Sequence, residues 1–217
     1  MVGMGSLTMV ARDVVDVAAD NGRWMTWNLI LAAIPAALAV AVFRHRGPRS
    51  ALWWTGAGLC ALFLPNAPYV VTDLVHLRGD VLWAGSDLTV ITAVLPTYAA
   101  FITAGFLAYG LAVGEMGRYL GRIGLAHWRG PAEVVTHALC AVGVVLGRVA
   151  RLNSWEPVTE PHGAAERIVL TLSWRGAPFA VLVTFAVIWV CHGATRALVR
   201  HGIAAAGTAA ATVRRMS

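Results

Sequence analysis

Long apolar stretches, each near the length of a bilayer crossing, constrain this chain more than any other feature. They run from Trp24 to Phe43, Ala51 to roughly Thr72, Leu88 to Val113, Ala132 to Val149, and Pro178 to about Val199. A helix of about 20 apolar residues spans the hydrocarbon core of a membrane. Only helices and closed barrels satisfy their own backbone there, and runs this long read as helices. The predicted fold is therefore all-α, an integral membrane bundle of about five transmembrane helices. Composition agrees. The chain is 58% hydrophobic and 13% charged, against roughly 25% charged in soluble domains. Too little polar surface remains to coat a soluble globule.

Three regions follow. Residues 1–23 are weakly periodic and carry Asp13, Asp16 and Asp20. A secretory signal starts basic and runs into an apolar core, so this segment reads instead as an extramembrane helix or arm. Residues 24–200 form the transmembrane domain. The Ala/Gly-rich tail, 201–217, reads as disordered. Within the polar stretch from Arg151 to Glu166 and beyond, Ala164 to Trp174 has the pattern of an amphipathic helix on the membrane surface.

All 17 basic residues are Arg, and the net charge is +6. They lie between apolar runs rather than in a soluble basic patch, so nucleic acid is not an expected partner. Cys60, Cys140 and Cys191 form no CxxC pair and read as small apolar helix residues. With an odd number of crossings, the loops fall into two sets. One set, with the C-terminal tail, holds ten Arg and two acids, Glu115 and Glu133; the other, with the N-terminal arm, holds seven Arg and nine acids. Basic loops favour the cytoplasm. The expected location is the cell membrane, N-terminus outside and C-terminus cytoplasmic.

Two motifs fall near the outer ends of the second and fourth runs. The first is Leu64-Pro65-Asn66-Ala67-Pro68-Tyr69, continuing to Thr72, Asp73 and His76. Two prolines three apart remove two backbone donors and disfavour helix before each. The second helix should break at this Pro-Asn-Ala-Pro segment. Broken helices in membranes line cavities or protein-filled space. The second motif is Gly147-Arg148, then Arg151, Asn153, Ser154, Trp155 and Glu156.

Each motif has a sharp and a plain reading. Asp73 and His76 fit a catalytic acid/base pair, two metal ligands, or an interfacial pair with Asp73 bonded to an Arg of the fourth helix. A metal site needs three or four ligands and nothing singles out the others, so no metal is assigned. Arg148 and Arg151 fit a clamp for phosphate or carboxylate, or an ion pair with Asp73 or Glu156. Asn66, Tyr69, Asn153 and Trp155 would complete a ligand-binding pocket between helices two and four. His137 and His192 lie at compatible depths, and two helix-borne histidines can ligate haem iron. No second matched pair appears, so no cofactor is expected. Glu115 has Arg118 as its i,i+3 partner.

These motifs resemble those of an uncharacterised bacterial family of polytopic membrane proteins, domain of unknown function 1361. The resemblance rests on Pro65-Asn66-Ala67-Pro68-Tyr69, Thr72-Asp73, His76, Gly147-Arg148 and Asn153-Ser154-Trp155, with Trp27-Asn28-Leu29 and Pro35. Glu156 stands where the family pattern would have Asp. The resemblance spans about residues 24–200 and implies a membrane protein without an assigned activity. Three functions remain open: a binder of an anionic lipid or small anion, a membrane enzyme acting on a lipid head group, and a structural or assembly subunit. A homo-oligomer is compatible with all three, with Gly105 to Gly121 as the helix contact.

Overall fold

The structure is a computed structural model, and it describes residues 4–84 and 86–216. Side chains are described for 19–84 and 86–204, besides Arg12, Val15 and Asp16. Every regular element among the described residues is helical. In order they are α1 (Met4–Arg44), α2 (Ala51–Phe63), α3 (Asn66–Tyr69), α4 (Leu74–Trp83), α5 (Asp87–Thr89), α6 (Leu95–Arg122), α7 (Arg129–Val149), α8 (Glu156–Thr159), α9 (Pro161–Ser173) and α10 (Ala177–Met216). Five stretches are long and apolar enough to cross a membrane: Ala19–Arg44, Ala51–Trp83, Asp87–Arg122, Ala126–Val149 and Ala177–Ala204.

Two helices extend past the expected bounds of the transmembrane domain. The expected N-terminal helix is continuous with the first span: α1 runs from Met4, and its membrane-spanning part begins at Ala19. Nothing between Met4 and Trp24 removes a backbone donor as proline would. At the other terminus α10 continues to Met216. Its run of alanines is the best helix-forming composition available.

The Pro-Asn-Ala-Pro segment changes the helix without reversing it. Phe63 ends α2, α3 spans one turn, and Val70–Asp73 tightens into a 3-10 turn before α4. Leu64, Pro65 and Val70 all keep right-handed helical dihedrals. Each missing proline N–H breaks a rung of the ladder, and the chain answers by tightening its winding. A second irregularity, a π-turn at Val90–Val94, sits just before Pro96. Wider winding there has the same cause.

The core is small and aromatic. Tyr98, Phe106, Tyr109 and Ile188 are fully buried among Ala39, Ala67, Val70 and Ala141. Gly105 lets the irregular segment approach α6. A Cβ at that position would lie 2.6 Å from Val70 Cγ2 and 2.9 Å from the Ala67 carbonyl oxygen. This glycine serves a contact within the chain. Large apolar side chains such as Leu52, Leu82, Trp83, Phe179, Leu182 and Val190 ring the outside. In water so continuous an apolar surface would be a liability. It fits a chain whose solvent is lipid.

Candidate functional site

At one end of the bundle, short polar contacts tie the first three spans together. Asn21 donates from Nδ2 to Asp80 Oδ2 at 2.8 Å, and the Tyr98 hydroxyl donates to the same oxygen at 2.8 Å. Trp24 Nε1 donates to Asn21 Oδ1 at 2.9 Å. Asn28 donates to Asp73 Oδ2 at 2.8 Å. Buried polar groups need such partners.

Asp73 is only 4% exposed. It forms no salt bridge with an Arg of α7, contrary to the interfacial pair read from the sequence. The reason is register. Asp73 and His76 face α1, where Asn28 and Trp24 stand one turn apart. Asn28 takes the carboxylate, and the exposed His76 ring lies 5.0 Å from Trp24. Arg148 and His76 interact with Asp73 through space only. Asp73 and His76 are not joined by a hydrogen bond.

The other motif residues converge on one groove. Asn66 Nδ2 donates to Ser154 Oγ at 2.8 Å, which joins the two motifs directly. Two glycines of α7 make the close approach possible. A Cβ at Gly143 would meet Pro65 Cγ at 2.5 Å, and one at Gly147 would meet Tyr69 Cε2 at 3.1 Å. The groove has a volume of ≈ 770 Å³. Asn66, Tyr69, Arg148, Arg151, Asn153 and Trp155 all line it, with Trp27, Asn28 and Ser154. Asp73 and His76 do not; Asp73 reaches it only through Asn28.

The two arginines do not share a helical face. Helix α7 stops at Val149, and Arg151 adopts a left-handed conformation, φ 53°. A glycine usually fills that place after a helix, and an L-residue there is disfavoured by about 1–2 kcal/mol. The Leu152 N–H returns to the Leu146 carbonyl at 3.4 Å and fixes the reversal. Both guanidiniums still line the groove. Neither forms a salt bridge with any described carboxylate.

Glu156, a partner considered for them, is taken elsewhere. It accepts from Asn153 Nδ2 at 2.7 Å, and Arg167 of α9 reaches its other oxygen at 2.6 Å. These contacts, Asn153 first, hold the Glu156 carboxyl below the usual range for glutamate.

At the opposite end the acids Glu115 and Glu133 are paired with arginine. Glu115, 2% exposed, receives Arg118 at 2.7 Å, the pair read from the sequence, and Arg44 of α1 as well. Arg122 donates to the Phe43 carbonyl. Glu133 of α7 accepts from Arg196 of α10 at 2.6 Å. His137 and His192 stand beside it, their rings edge-to-face at 5.2 Å. That contact leaves no space for a porphyrin between them.

The fold and its apolar exterior define the class: a multi-pass, all-helical membrane protein. A family model described as "Protein of unknown function (DUF1361)" matches residues 27–190. The chain belongs to that family. No curated protein and no solved structure matches it.

Proposed function

We propose that the groove between the second and fourth spans binds the phosphate of an anionic lipid. The observation that carries this reading is the pair of arginines without a carboxylate. Arg148 and Arg151 line a groove beside a membrane, and the acids of the two motifs already have partners: Asn28 holds Asp73, and Arg167 holds Glu156. A charge near lipid is costly unless paired. Guanidinium suits phosphate because it can donate two parallel hydrogen bonds. Arg151 keeps a conformation that glycine would adopt at lower cost. Backbone strain of this kind often marks a functional constraint. Exposed Trp27 and Trp155 on the rim suit the head-group level. The exposed Val169, Leu170 and Trp174 of the α9 region would rest in the same interface.

Loop charge supports placing the groove outside the cell membrane, with the C-terminus cytoplasmic. A reporter active only in the cytoplasm, fused at the C-terminus, tests this. Loss of its signal would reverse the orientation.

Lipid binding is tested with detergent-purified protein and native mass spectrometry. Phosphatidylglycerol, phosphatidylcholine and inorganic phosphate are compared. A hydrogen bond to a charged group contributes about 1.5–3 kcal/mol. Losing both arginines in the Arg148→Ala/Arg151→Ala variant should weaken phosphatidylglycerol binding at least about tenfold. Preference for free phosphate would make the ligand a small anion. Equal binding by wild type and variant would refute the groove as the site.

A further inference from the structure

We propose that Glu133, His137 and His192 form a binding site for a divalent transition-metal ion of the zinc class. The site lies at the opposite end of the bundle from the groove and does not depend on the groove's ligand.

The donor set comes from two helices. Glu133 and His137 stand one turn apart on α7, and His192 faces them from α10. One donor atom from each of the three lies within 4.8 Å of the others. Glu133 Oε1 is 3.5 Å from His192 Nε2 and 4.0 Å from His137 Nε2. Donors at the ordinary zinc distances of about 2.0–2.2 Å in a tetrahedron stand about 3.3–3.6 Å apart. The Glu133–His192 separation already matches that spacing, and side-chain rotation must close the rest. Imidazole with carboxylate is a donor set that suits zinc, iron and copper rather than calcium or magnesium.

The surroundings match what a metal-bound imidazole needs. The other ring nitrogen of His137, Nδ1, lies 2.7 Å from the Tyr109 hydroxyl, a hydrogen bond that orients the ring. Both histidines are almost wholly buried, at 1% and 3% exposed. His192 is packed against Gly110, and its Nδ1 is buried without a hydrogen-bond partner. The cluster also borders a cavity of ≈ 240 Å³ lined by Trp189, Arg196 and Arg200. That cavity gives the ion an entry path and leaves a fourth position for water. Arg196 competes for Glu133 Oε1 and must move to the other oxygen or to solvent when a cation binds; at 44% exposed it can.

The experiment is a Co²⁺ titration of metal-depleted, tag-free, full-length protein in detergent, read by visible absorption and then by Zn²⁺ displacement. Wild type should bind one Co²⁺ per chain, with the strong absorption of a low-coordinate site, and lose the bands on adding Zn²⁺. Glu133→Ala, His137→Ala and His192→Ala should each lose the bands. Glu133 is partly exposed, so Glu133→Ala leaves the core filled and decides the matter if a histidine variant does not fold. Arg196→Ala should bind more tightly, because a competitor for the carboxylate has gone. Absence of binding by wild type, an unchanged spectrum in Glu133→Ala, or loss of binding in Arg196→Ala would overturn the proposal. Any of these would leave the cluster as an ion pair between helices.

Discussion

Two sets of arginines, one at each end of this bundle, are handled in opposite ways. At one end Arg44 and Arg118 close on Glu115, and Arg196 closes on Glu133. At the other, Arg148 and Arg151 face a groove and close on no described carboxylate. Charge pairing makes the first end a clasp between helices. Charge left over makes the second a place where something else can supply the anion.

This contrast can be broken by two double variants. Arg44→Ala/Arg118→Ala leaves the Glu115 carboxylate buried and unpaired, which should destabilise the protein by about 2–4 kcal/mol. That is below the about 3–5 kcal/mol of a fully buried pair, because both guanidiniums are more than half exposed and screened by water. Arg148→Ala/Arg151→Ala should change stability by less than about 1 kcal/mol, since exposed side chains without specific partners contribute little. Thermal denaturation in detergent compares the two. Equal losses would abolish the distinction.

The groove's shape gives a somewhat smaller expected effect. Gly143→Ala places a methyl against the Pro65 ring, which is rigid, and overpacking of this kind costs about 1–3 kcal/mol. Its melting temperature should fall and lipid binding weaken. A neutral result would mean the fourth span can move away from the proline break. Asn66→Ala removes the bond to Ser154, at about 1 kcal/mol. A double-mutant cycle with Ser154→Ala should return a coupling of similar size. A coupling near zero would show that the two motifs merely lie side by side.

The smallest effect concerns pH. The folded-state pKa of Glu156 is depressed, chiefly by Asn153. A depressed acid stabilises the fold above its unfolded pKa, about 4.3, and that contribution fades as pH falls further. Glu156→Gln should flatten the slope of stability below about pH 4.5 and leave neutral pH almost unchanged. An unaltered acid slope would mean that Asn153 and Arg167 do not hold the carboxylate in solution.

The same contrast explains what the sequence revealed. The groove end was legible because its residues cluster locally. Two prolines within four positions mark an irregular helix, and Arg148 to Trp155 mark a helix end. Topology then brings both to one level. Asn28 was harder to assign. Only the register of α1 against the second span makes it the partner of Asp73, and a lone Asn in an apolar run carries no such label. The turn at Arg151 was hidden for a related reason. Arginine gives no sign of a left-handed conformation, and spacing alone would put residues three apart on one helical face. The histidine cluster was harder still. Glu133 and His137 share a helical face by spacing, but His192 joins them only through the packing of α10 on α7. Regular helices carry such sites without any break in pattern. The tail carries two opposed signals: its glycines and small residues resemble a linker, whereas its alanines favour helix.

The most direct measurement of the groove's role is an experimental structure in nanodiscs containing phosphatidylglycerol. Density for a phosphate within hydrogen-bond distance of both Arg148 and Arg151, with Asp73 still on Asn28 and Glu156 still on Arg167, is the predicted result. An empty groove, or either arginine closed on Asp73 or Glu156, would contradict it and make both ends of the bundle clasps.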